Sequence, residues 1–171
     1  MCYFLYLASP LTLSEVRSML PPGISADLAS IPDQQTLKAV HPGAQTVARV
    51  LVGRCSCDLV RTRLADTRED ERHLRERCRK LGLSRPLVIQ ALERHRRSPA
   101  PTRPAEAWAE ALSKFVAEHA RNAGTSLYHL QFSPEAAPLS NLAEARRNTV
   151  AQVTAAPRGW LLEGAPTFVS R

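Results

Sequence analysis

Cys2, Cys55, Cys57 and Cys78 are the residues of this chain whose type and spacing point most directly to chemistry, and two of them form a Cys-x-Cys pair. On extended backbone such a pair puts both sulfurs on one side, which suits a metal ion or a redox couple. A zinc ion takes three or four nitrogen or sulfur donors in a tetrahedron. Cys55, Cys57, Cys78 and His73 are the candidate ligands, and zinc is the candidate cofactor. Cys2 can join or replace one of them if the first strand lies antiparallel to the strand over residues 46–52, because Cys2 then sits near Cys55. Cys78 and His73 are five residues apart, somewhat off a common helix face. The chain has no Cys-x2-Cys or His-x3–5-His knuckle. The alternative use of these cysteines is as small buried hydrophobes.

The elements that must position these groups alternate. Residues 3–8 read as a buried strand ended by Ser9-Pro10, and residues 12–20 as a short capped helix stopped by Pro21-Pro22-Gly23. A second strand is expected over 24–31, a helical turn or two over 33–40, and the strongest strand over 46–52, closed by Gly53. Helices follow over 67–80 and 84–97, joined at Leu81-Gly82-Leu83. Residues 98–104 hold three prolines and read as a stiff connector. Trp108, Leu112, Phe115, Val116 and His119 share one face of a helix ending near Gly124. A strand over 127–132, a loop over 134–138, a helix over 139–153 and a turn or strand over 160–169 complete the chain.

This order predicts a single α+β domain over residues 1–171: a ferredoxin-like split β-α-β sheet of four to five strands, helices on one face and a basic helical hairpin, 61–97, inserted. A three-layer α/β fold with a parallel sheet is the competitor. With 171 residues the chain can bury a sizeable core without staples. Aromatic residues make up only 5%, so alanine, leucine and valine must supply most of the packing. The opening apolar run lacks a basic lead-in and is too short to span a bilayer, so a cytoplasmic protein with reduced thiols and no membrane partner is expected.

Removal of Met1 before a small residue would leave Cys2 with its thiol and α-amine side by side, a nucleophile with its own base. The segment Met1-Cys-Tyr-Phe-Leu-Tyr-Leu-Ala-Ser-Pro10 resembles the start of class II glutamine amidotransferases. That resemblance implies an amidotransferase or amidohydrolase activity with Cys2 as the catalytic residue. The family's glycine-rich and Asn-Gly segments have no counterpart in this chain, so Cys2 alone carries over.

Charge offers another reading. Between Arg61 and Arg103 there are 13 basic and 6 acidic residues, so the whole net charge of +7 lies in this segment. Such concentration points to nucleic acid or another anionic partner. Residues 78–92, Cys-Arg-Lys-Leu-Gly-Leu-Ser-Arg-Pro-Leu-Val-Ile-Gln-Ala-Leu, resemble the helix-turn-helix of DNA-binding proteins. The resemblance implies that Ser84, Arg85 and Gln90 face a major groove while Arg94, Arg96 and Arg97 meet phosphates. No phosphate-binding glycine loop, dinucleotide fingerprint or Ser-His-Asp order is present.

Overall fold

Strand β1 (Cys2–Ser9) is apolar on both of its faces, and a strand of that kind must be covered from both sides. It lies inside a six-stranded sheet, buried from Phe4 to Ser9. The computed structural model describes residues 2–60, 67–97, 105–133, 139, 142–157 and 159–171. The elements following β1 are α1 (Leu13–Met19), β2 (Ser25–Leu28), α2 (Ile31–Val40), β3 (Thr46–Leu51), α3 (Cys57–Val60), α4 (Thr67–Lys80), α5 (Arg85–Arg97), α6 (Ala105–Ala123), β4 (Thr125–Ser133), β5 (Arg146–Thr149), α7 (Val150–Ala155) and β6 (Thr167–Ser170). The architecture is therefore mixed α/β, with strand order β2-β3-β1-β4-β6-β5.

Alternation along β1 assigns each helix to a layer. Leu5 and Leu7 pack with Ala48, Val50 and Tyr128 against Val16 of α1, Leu59 of α3, Trp108, Leu112, Phe115 and Val116 of α6, and Val153 of α7. Phe4, Tyr6 and Ala8 point the other way, onto Val47, Leu51, Leu127 and Leu37 of α2. Helices thus cover both faces, where one was expected. Among the described residues the sheet has six strands where four to five were expected, and β1 pairs antiparallel with both β3 and β4. Among the described strands only β5 and β6 pair in parallel. This pairing does not confirm a split β-α-β arrangement, nor a parallel sheet.

Among the described residues, the helix expected over 139–153 begins at Val150. Thr149 is its N-cap, in a capping box with Gln152, and that box fixes where the helix begins. Arg146–Thr149 instead line up with Thr167–Ser170 as β5. The connector 98–104 and the loop 134–138 lie outside the described residues.

Two buried polar clusters lock the layers together. His119 of α6 bonds Ser9 Oγ through Nε2 (2.9 Å) and the Tyr128 hydroxyl through Nδ1 (3.1 Å), joining helix, β1 and β4. All three residues are fully buried, and Ser9 Oγ also accepts the Leu11 N–H, so this Ser-His pair is a structural tie that no substrate reaches. On the opposite face the Asp33 carboxylate accepts from Ser30 Oγ (2.7 Å), the Leu139 N–H (2.8 Å) and, more loosely, the Tyr6 hydroxyl (3.4 Å). Asp33→Ala removes the acceptor and leaves the buried Leu139 N–H and Tyr6 hydroxyl unpaired, while the exposed Ser30 can turn to water. A loss of about 2–4 kcal/mol is expected by chemical denaturation, and a loss below about 0.5 kcal/mol would contradict the clamp.

The hairpin of α4 and α5 turns at Gly82, whose φ of +66° places it in the left-handed region that glycine tolerates best. Leu74 and Cys78 of α4 pack with Ala91 and Leu92 of α5 and with Phe132 of β4. Arg77 lies over the rings of Tyr3 (4.9 Å) and Phe132 (4.7 Å) and pairs with Glu163, which fastens the hairpin to the sheet end.

Candidate metal centre

The site is made where β3 parts from β1. The two strands pair from Ser9↔Thr46 to Leu5↔Val50. Beyond Leu51 the chain reverses at Gly53, with φ of +66°, and the Val52 N–H donates to the Cys55 carbonyl (2.8 Å). The returning segment is then stitched to β1 by Ser56. Its N–H donates to the Tyr3 carbonyl (2.8 Å), its Oγ accepts the Leu5 N–H (2.7 Å), and its hydroxyl donates to the Val50 carbonyl (2.5 Å). Ser56 is fully buried and stands in for the ladder that β3 no longer supplies.

With Ser56 fixed, Cys55 and Cys57 flank it beside Cys2, the first residue of β1. The three sulfurs lie within 4.8 Å of one another, and all three residues are partly buried. Cys57 opens α3, and its Sγ accepts the Tyr3 N–H at 3.4 Å. Cys2 and Cys55 pack against the apolar layer that holds Phe4, Leu51 and Leu139.

The sulfurs interact strongly. The Cys57 thiol is pushed far above its ordinary range, chiefly by hydrogen bonding to Cys2, then by its bond to Cys55 and by burial. Hydrogen bonding to Cys2 also raises Cys55, opposed by its bond to Cys57 and reinforced by burial. Removing either proton breaks a bond and places negative charge beside other sulfurs.

The other sequence candidates lie elsewhere. Cys78 is fully buried in the small core of the α4–α5 hairpin, where desolvation raises its thiol, and it is not among the three clustered sulfurs. His73 is exposed on α4 and is likewise outside the cluster. The apolar positions of α4, Leu74 and Cys78, turn inward to Phe132. Ser84, Arg85 and Gln90 are exposed around the start of α5, next to Leu87 and Ile89, which are also exposed. Arg96 makes a two-pronged pair with Glu71 at 2.7 and 2.9 Å. Arg94 and Arg97 fall within α5, and their side chains are outside the described residues. Ser56 went unread in the sequence. A small hydroxyl residue set between two cysteines directly after a strand was the available signal.

No protein-family model, no curated protein and no solved structure matches this chain. Among the described residues, no helix is long and apolar enough to cross a membrane.

Proposed function

We propose that the chain binds a soft metal ion, with zinc as the reference case, through the thiolates of Cys2, Cys55 and Cys57. The observation that carries this reading is the gathering of three sulfurs, from two separate stretches of chain, within 4.8 Å. In a tetrahedral site with Zn–S bonds of ~2.3 Å the sulfurs are ~3.8 Å apart, so small side-chain movements close the set. Thiolate donors favour zinc, copper(I) and iron–sulfur centres over hard cations. The raised Cys55 and Cys57 thiols support metal binding over service as a free nucleophile, since a nucleophilic cysteine needs a lowered pKa. A bound cation instead displaces the protons itself.

The test is anaerobic titration of the reduced protein with zinc against a chromophoric chelator. One equivalent is expected to bind. Serine at Cys2, Cys55 or Cys57 should weaken binding by more than the roughly 10–100-fold that loss of an outer-shell partner costs. Cys78→Ser should leave it unchanged. Absence of stoichiometric binding, or binding that survives serine at all three positions, would sink the reading.

A second reading assigns nucleic-acid binding to the α4–α5 hairpin, favoured by the exposure of Ser84, Arg85 and Gln90 at the start of α5. The Arg96–Glu71 pair argues against a phosphate role for Arg96. Binding of duplex DNA that weakens steeply with salt, and weakens further in Arg85→Ala, is the expected signature. Retention independent of salt would contradict it.

A further inference from the structure

On the metal reading just given, we infer that the ion held by Cys2, Cys55 and Cys57 keeps one coordination position for a small external thiol, through which the ion is exchanged. Closed structural zinc sites take four protein ligands, whereas sites that react or exchange keep a position free. Among the described residues no fourth histidine, cysteine, aspartate or glutamate joins the three sulfurs.

Access is built into the turn that carries Cys55. Gly53 and Arg54 at its tip are exposed, and a Cβ placed on Gly53 would meet nothing within 4 Å. The three cysteines are themselves only partly buried. A soft ion already bound by three sulfurs is best matched by a fourth soft donor, and a thiolate is the small-molecule donor of that class.

The sulfurs also differ in anchorage. Cys57 is fixed at the start of α3 and accepts the Tyr3 N–H, and Cys2 belongs to a central strand. Cys55 follows directly on the exposed Gly53 and Arg54, so of the three sulfurs it is the one carried by the solvent-facing turn and the one to leave. In the exchange the incoming thiol would form a metal–sulfur bond, give its proton to solvent and displace the water that would otherwise fill the fourth position. Release of Cys55 then breaks its metal–sulfur bond, and that sulfur takes up a proton from solvent. No electron is transferred.

The experiment uses the full chain loaded with one equivalent of cobalt(II), titrated anaerobically with glutathione and followed by visible absorption and native mass spectrometry. The sulfur-to-cobalt charge-transfer band should grow by about one-third as three sulfurs become four, saturating with a protein–cobalt–glutathione complex. Cobalt that stays bound with an unmoved spectrum would show a closed site and overturn the inference while leaving the metal reading intact. Cobalt stripped with no ternary complex would overturn it too. Failure to bind cobalt or zinc at all would remove both readings.

Discussion

Ser56→Ala is expected to lower stability by about 2–4 kcal/mol and, in the same protein, to weaken zinc binding at cysteines it leaves in place. The side chain accepts the Leu5 N–H at 2.7 Å and donates to the Val50 carbonyl at 2.5 Å, with no exposure to solvent. Alanine leaves a buried donor and a buried acceptor unpaired, each costing about 1–3 kcal/mol. It also unfastens the segment that holds Cys55 and Cys57 against β1. Ligands that must be ordered during binding hold the ion less tightly than ligands already in place. Urea unfolding of the apo protein measures the first effect, and chelator competition the second. A stability loss below about 0.5 kcal/mol with unchanged zinc affinity would show that Ser56 merely fills space.

Acidification from pH 7 to pH 4 is expected to destabilise the protein by about 3 kcal/mol through His119 alone. Burial among Ser9, Phe115 and Tyr128 lowers this imidazole from its ordinary 6.5 to about 4. Above pH 6.5 both the folded and the unfolded chain carry it neutral, and it contributes no pH dependence. As pH falls below 6.5 the unfolded chain takes up a proton that the folded protein refuses, so stability declines until about pH 4, where both states are protonated. His129, also fully buried and lowered by desolvation, acts in the same direction. His119→Gln should flatten the decline between pH 6.5 and 4 even though it lowers stability at pH 7. An unchanged slope in that variant would assign the acid sensitivity elsewhere.

The core of the candidate site was legible because it depends on strand pairing, which hydrophobic pattern controls. The continuous apolar run of β1 and the valine-rich β3 predicted two neighbouring strands, and their antiparallel alignment brings Cys2 to Cys55. The Cys-x-Cys pair completes the set, though across the turn into α3 and not on the extended backbone that alternation assumes. Cys78 and His73 stand outside the three-sulfur cluster, and helix phase alone cannot say which way their hairpin docks. Arg77, seated on Tyr3 and Phe132, and Leu74, packed beside Cys78, determine that direction through residues remote in sequence. The same limit hid β5. Arg146-Arg147-Asn148-Thr149 has low strand propensity, and backbone pairing with β6 overrides it. The Trp108 helix, by contrast, was plain from its period, down to His119 on the buried face.

The ends of the sheet carry their own consequence for how this protein behaves in a crowded solution. The outermost strands, β2 and β5, are each only four residues long, and each bears charge, Asp27 on one and Arg146 with Arg147 on the other. Asp27 is further held by Arg17 of α1 at 3.4 Å. A neighbouring molecule seeking to add a strand meets a short run of backbone guarded by ionised side chains, and most of the apolar β1, β3 and β4 is shielded between them. The fold thus keeps its most aggregation-prone sequence innermost and shows its least adhesive sequence at the borders.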